Sequence, residues 1–282
     1  MQQISDIRLE GRCALVTGAA AGLGRAMALA LAKAGAAVLF VDLDGVKAQT
    51  AALSVQGVAG AGPAQGLACD ITNLDQCRRA VAMCIERFGG LDILVNNAGK
   101  GPVHVERAAQ TSSMKFWQTD PRAWADVITT NVTGTYFMSH AAAPHLIAAG
   151  WGRIVNVTTS LSTMQRHMNS PYGVSKAAIE TETLIWAQDL AGSGVTVNSL
   201  IPGGAVDTDF VSVPTRADMA ATGRKILQPD VMIAPMLWLA STLSDEVTAC
   251  RFVGKLWDVS LPPEQAAAQA LEPPVLRMPL SQ

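Results

Sequence analysis

Cys13-Ala14-Leu15-Val16-Thr17-Gly18-Ala19-Ala20-Ala21-Gly22-Leu23-Gly24 runs from a short apolar stretch through three glycines into an alanine-rich segment of helical period. Four apolar residues and a threonine suit a buried strand, and glycines at its end let the chain turn tightly and approach a ligand closely. A helix starting near Gly22 would aim free N–H groups and a partial positive charge at the turn, an environment suited to a pyrophosphate. Gly18, Ala21, Gly22, Leu23 and Gly24 are the candidate phosphate contacts. A strand-to-helix turn without a ligand is the alternative, and the loop alone does not separate the two.

Outward from this loop, short apolar runs alternate with longer helix-period stretches, as in a parallel sheet covered by helices on both faces. The predicted strands are Cys13 to Thr17, Ala37 to Val41, Gln65 to Cys69, Ile93 to Val95, Arg153 to Thr158, Val195 to Leu200 and Phe252 to Trp257. Helices are predicted to begin near Gly22, Asp44, Asn73, Pro121, Pro171 and Pro229. The expected fold class is α/β, one domain over 1–282 with a doubly wound seven-stranded parallel sheet. Lys100 to Asp120 is polar without clear period, and the chain from about 261 reads as an irregular tail. Both are expected outside the sheet core.

The bulk numbers agree with that organisation. A 49% hydrophobic fraction over 282 residues supports a sizeable core and argues against disorder. With 21 Lys+Arg against 23 Asp+Glu and no run of like charge, neither a nucleic acid nor an anionic membrane is an expected partner. A small molecule is. The five cysteines lack zinc or disulfide spacing and read as reduced thiols. No basic-then-apolar leader or 18-residue apolar window occurs, so a cytoplasmic protein is expected.

Asp42 ends the second strand, eighteen positions beyond Gly24. A carboxylate there can accept hydrogen bonds from both ribose hydroxyls and would repel a 2′-phosphate, so NAD is favoured over NADP. Leu43 beside it brings no cation to neutralise such a phosphate. A turn or capping role for Asp42 is the competing reading. Asp70, with Ile71 beside it, either bonds an adenine amino group or caps the helix near Asn73.

Together with Asn96-Asn97-Ala98-Gly99 after the fourth strand, Asn131, Tyr172-Gly173-Val174-Ser175-Lys176 and Pro202-Gly203, these residues resemble the short-chain dehydrogenase/reductase family over roughly Gly11 to Asp258. The resemblance implies a single-domain Rossmann fold, a nicotinamide cofactor, interconversion of a secondary alcohol and a ketone, and a homodimer or homotetramer. It also implies that Asn97, Ala98 and Gly99 contact the cofactor, that Asn96 ties adjacent strands together, and that Pro202, Gly203, Val206 and Thr208 cup the nicotinamide. No substrate follows from it.

Tyr172 and Lys176 are four apart, hence on one face of a helix. A phenol titrates near ~10, and a cation within about 4–6 Å lowers it by ~1–3 pH units, toward useful acid–base behaviour. The resemblance makes Lys176 also a ligand of the nicotinamide ribose and gives Asn131 a water in a proton relay. For Asn131 a purely structural bond to neighbouring backbone is the rival. Counting back thirteen positions, the family's substrate hydroxyl falls on Thr159, with Ser160 the adjacent alternative and a capping role expected for whichever is not used. The function expected is an NAD(P)-dependent oxidoreductase, with a dinucleotide sensor lacking turnover as the second hypothesis. Gln165, Arg166, His167 and Met168 should line one wall of the substrate pocket. Gly101 to Asp120 holds the excess length between Asn97 and Asn131, suited to shaping substrate entry or to a subunit contact.

Overall fold

A computed structural model describes residues 3–109, 115–211 and 213–273. The strands are β1 (Cys13–Thr17), β2 (Ala37–Asp42), β3 (Ala64–Ala68), β4 (Ile93–Asn96), β5 (Gly152–Val157), β6 (Val195–Ile201), β7 (Arg251–Val253) and β8 (Leu271–Glu272), ordered β3-β2-β1-β4-β5-β6-β7-β8. The first seven are parallel and β8 is antiparallel to β7. This is the doubly wound architecture expected, with one short strand more than expected. The order reverses between β1 and β4, and ligands in such sheets bind beyond the strand ends at that switch point.

Strand periodicity divides the interior in two, because successive side chains on a strand point to opposite faces. Ala14, Val16, Val38, Phe40, Ile93 and Val95 pack on one face, against α1 (Gly22–Lys33), α2 (Gly45–Leu53) and the later helix α10 (Ile233–Leu239). Cys13, Leu15, Leu39, Val41 and Leu94 pack on the other, against α3 (Leu74–Phe88) and α6 (Thr135–Ala149). Continuous apolar strands are thus explained by burial on both sides.

Three expectations are corrected. Val253 is followed by a 3₁₀ turn, Gly254–Leu256, so the last parallel strand is shorter than Phe252 to Trp257. Gly254 passes so close to the Val231 carbonyl that a Cβ would sit 2.6 Å from it. The segment expected to be irregular contains α4 (Pro102–Ala109), whose Val105 packs on Val127 of α5 (Pro121–Ile128) in a small cluster apart from the sheet core. The side chains of Glu106 and Arg107 and residues 110–114 lie outside the described residues. The tail is not irregular at 263–272 either: α11 (Pro263–Ala270) buries Pro263, Ala266, Ala267 and Ala270 before β8 begins.

The remaining helices are α7 (Leu161–Met164), α8 (Tyr172–Asp189) and α9 (Val213–Ala221). A π segment, Thr129–Gly134, joins α5 to α6 and carries Asn131. All five cysteines are free, four of them buried. No described helix is long and apolar enough to cross a membrane.

Candidate active site

The glycine loop sits at the carboxyl end of β1. Gly18 and Gly22 have φ of +64° and +56°, a region L side chains rarely adopt. A Cβ on Gly24 would lie 2.1 Å from the Gly18 carbonyl and 2.4 Å from Asn97 Nδ2, so the α1 backbone can close onto the loop only at a glycine. Ala21, the N-cap of α1, contributes no capping side chain, which leaves the first-turn N–H groups for an anion.

Around this cradle the other predicted residues gather. Asp42 accepts from the Ala20 N–H at 3.0 Å and the Asp44 N–H at 3.1 Å, so it braces the loop from the end of β2, with Leu43 exposed beside it. Asp70 accepts from the Thr72 N–H and hydroxyl at 2.9 and 2.7 Å; the cap of α3 is Asn73 instead. Ile71 packs on Gly134. Asn97 donates from Nδ2 to the Thr17 and Gly18 carbonyls, and the Asn97 and Ala98 N–H groups both donate to the Thr17 hydroxyl. Asn96 bonds Asn156 across β5, the strand-tying role expected of it. After β6, Pro202 and Gly203 turn the chain, Val206 is buried, and the Thr208 methyl approaches Gly22 closely. Loops after β1, β2, β4 and β6 therefore converge on one trough, whose missing Cβ atoms and free helix N-terminus fit a dinucleotide.

Tyr172 opens α8 with its phenol beside Thr159, while Ser160 accepts from the Thr163 N–H as the N-cap of α7. The two candidate hydroxyls are thereby separated: Thr159 faces the phenol and Ser160 caps. Burial pushes the Tyr172 phenol up to about 12, against the lowering influence of the neighbouring Thr159 hydroxyl and the Arg166 charge. The expected depression by Lys176 is not found. Its ammonium lies 6.0 Å from the Tyr172 ring centroid and donates instead to the Val157 carbonyl at 2.7 Å. Burial takes Lys176 down to about 8, with the Glu180 carboxylate opposing that fall.

Asn131 is saturated by structural bonds. Its Oδ1 accepts from the Lys100 N–H at 2.7 Å, and its Nδ2 donates to the Lys100 carbonyl and Ser175 Oγ, each at 2.9 Å. The side chain thus clamps the chain beyond Gly99 onto α8, which favours the structural reading; a Cβ on Gly99 would lie 3.0 Å from Asn131 Oδ1 and 3.8 Å from Lys176 Nζ.

On the open side, Gln165, Arg166 and His167 are exposed and Met168 half-buried. Phe210 meets Tyr172 edge-on, ring centroids 5.6 Å apart, and lies 6.4 Å from His104. Sequence reasoning missed Phe210, for which the only signal was an aromatic two residues beyond Thr208. It also missed Ser175, a small hydroxyl in the turn between Tyr172 and Lys176, and the buried Glu180 one turn after Lys176. Among the described residues no cluster of His, Cys, Asp or Glu could hold a metal.

Residues 12–218 match the family model described as short chain dehydrogenase. The chain belongs to the short-chain dehydrogenase/reductase family and is an oxidoreductase of it, a family that binds NAD or NADP. It is 30% identical over 246 residues to the 3-oxoacyl-(acyl-carrier-protein) reductase of Thermotoga maritima, covering 86% of this chain and 95% of that one. It is 31% identical to the 2-dehydro-3-deoxy-D-gluconate 5-dehydrogenase of Escherichia coli, covering 86% and 94%, and 34% identical to the D-threitol dehydrogenase of Mycolicibacterium smegmatis, covering 70% and 71%. Among solved structures, a short-chain type dehydrogenase/reductase from Mycobacterium marinum is similar at TM-score 0.77 and 30% identity, covering 89% of this chain and 96% of that one.

Proposed function

We propose that this chain interconverts a secondary alcohol and a ketone with NAD as the cofactor, Tyr172 exchanging the proton with the substrate oxygen. The observation that carries the reading is Tyr172 at the start of α8 with Lys176 buried one turn further on, its ammonium 6.0 Å from the phenol ring and bonded to the end of β5 beside the glycine cradle. The nicotinamide, when bound, supplies or takes up the hydride. Thr159 holds the substrate oxygen with its hydroxyl, Tyr172 donates to the same oxygen during reduction, and Lys176 supplies positive charge next to the developing phenolate. A phenol held neutral is a proton donor at physiological pH, so carbonyl reduction is the direction favoured by these residues.

NAD is supported by Asp42, whose carboxylate stands at the loop with exposed Leu43 as its neighbour. By their names, the T. maritima relative acts on a 3-oxoacyl-(acyl-carrier-protein), and the other two on 2-dehydro-3-deoxy-D-gluconate and D-threitol. A small hydroxylated substrate is in keeping with the polar wall from Gln165 to His167. A sensor without turnover gains no support from this site, since the phenol, a hydroxyl beside it and a buried ammonium one turn away are all present. A homo-oligomer, as a dimer or tetramer, is part of the same proposal.

Absorbance of reduced nicotinamide followed across a panel of ketones and alcohols tests the reading, with NADH and NADPH compared. Tyr172→Phe is expected to lose at least about 10²-fold in kcat, the scale of a positioned proton donor. Full activity in that variant would overturn the assignment.

A further inference from the structure

Behind Lys176 lies a charged pair that the reaction as described does not use. Glu180 and Arg251 are both almost wholly buried, on α8 and β7, with Arg251 Nε 3.1 Å from Glu180 Oε1. A buried charge is tolerated only when it is paired and hydrogen-bonded. Glu180 meets that requirement through Arg251 and the Thr158 hydroxyl. Arg251 meets it through Glu180, through Glu272 on β8, and by donating from Nη2 to the carbonyl of Thr159 at 2.9 Å.

The contacts reach the site on both sides. Glu180 is one helical turn beyond Lys176 on the same face of α8. Its negative charge opposes the loss of charge that burial imposes on Lys176. Arg251 holds the peptide of the residue whose side chain meets Tyr172, and Thr158, next in the chain, bonds Glu180. One buried pair therefore touches the backbone of the substrate hydroxyl and faces the ammonium. A pair serving only stability would have no reason to converge on both, and well-packed apolar residues often do as well in that role.

We propose that Glu180 and Arg251 are positioning residues of the reaction: the pair fixes the Thr159 peptide and supplies the negative charge that faces the Lys176 ammonium. This rests on the assignment of Tyr172, Thr159 and Lys176 made above. The titratable groups on the elements about Lys176 are the neutral Tyr172 and Glu180 on α8, Arg251 on β7 bonded to Glu180, Glu272 on β8 bonded to Arg251, and Arg166 in the loop before α8, which acts on Tyr172. Among these Glu180 is the carboxylate that acts on the ammonium.

The test is direct titration of Lys176 by the ¹³Cε resonance of labelled lysine, assigned by its loss in Lys176→Met, in the wild type and in E180Q. The midpoint is expected to drop by about one pH unit in E180Q, the lower end of what an adjacent charge does. An unmoved midpoint overturns that half of the proposal, even where E180Q melts at a lower temperature. Should E180Q not fold, the double variant E180Q/R251Q leaves neither member of the pair unpartnered and is expected to give the same drop; an unmoved midpoint there overturns it equally. For the other half, R251K keeps the charge but loses the second nitrogen that reaches Thr159. On the best ketone of the reduction panel its kcat is expected to fall at least about tenfold, as for a misplaced reacting group, with the Lys176 midpoint retained. Wild-type kcat in R251K overturns the positioning of Thr159. Tyr172→Phe run beside these separates the outcomes: activity in that variant removes the underlying assignment, while its loss alongside unaffected E180Q and R251K removes only the positioning pair.

Discussion

Tyr172 and Lys176 titrate in opposite directions for one reason, burial, which disfavours the charged form of each. Reduction needs a neutral phenol and a charged ammonium, so its pH profile is governed by the lysine. Below about 8 both groups are in the required form; above it Lys176 loses its proton while Tyr172 stays neutral until about 12. A profile of kcat for ketone reduction should therefore be level in the neutral range and fall through a single alkaline limb near 8. The same lysine weakens the fold. Its folded pKa lies below the unfolded value of 10.5, so its cost is fully present below about 8 and disappears as pH rises toward 10.5. Lys176→Met should abolish turnover yet stabilise the protein by about 1–3 kcal/mol at neutral pH, since each tenfold change in a proton equilibrium is worth roughly 1.4 kcal/mol. Chemical denaturation at pH 7 and pH 10 checks the size of the gain and its decline.

Short elements at strand ends decide which side chain does which task. The turn after β5 presents Thr159 to α8 and commits Ser160 to the first turn of α7, where it accepts from Thr163. Adjacent hydroxyls consequently have separable effects. Thr159→Ala should cost about 10²-fold in kcat, the scale of a lost donor at a reacting oxygen. Ser160→Ala should leave kcat near wild type and cost about 1 kcal/mol of stability, the usual worth of an N-cap. Steady-state kinetics and urea melts on the two variants check this, and the reverse pattern would reassign the hydroxyl. The loop after β6 works in a similar way, bringing Thr208 onto Gly22 so that the cofactor trough has a second wall.

Across the whole molecule, the two main cores lie on opposite faces of the sheet, and its β7 edge is covered by α11 and β8. Ala266, Ala267 and Ala270 of α11 pack in the same core as Trp238, Phe252 and Trp257, and β8 then pairs with β7. Covering an edge strand also removes a template for unwanted pairing. Deleting residues 262–282 should lower stability by about 3–5 kcal/mol, at roughly 0.8 kcal/mol for each methyl-sized group uncovered, and should increase aggregation on heating. Thermal melts with light scattering read both effects.

What could be read along the chain was whatever local geometry enforces. A strand buried on both faces is apolar throughout, a helix repeats near 3.6, and a tight turn against a helix demands glycine, so β1, the loop from Gly18 to Gly24 and α1 were legible residue by residue. Tyr172 with Lys176 was legible because four residues make one turn. Relations between distant segments were not. Thr159 and Ser160 have equivalent chemistry, and the choice between them depends on where α7 starts. The end of β7 depends on how closely Gly254 passes Val231, and β8 is two residues long, below any periodicity. Glu180 and Arg251 lie 71 positions apart and meet because the sheet sets β7 beside β6, under α8. Lys176 was expected to depress the phenol of Tyr172, but burial prevailed. Spacing tells which side chains share a face; how far each is withdrawn from water, and so which way its proton equilibrium moves, is a property of the packed interior.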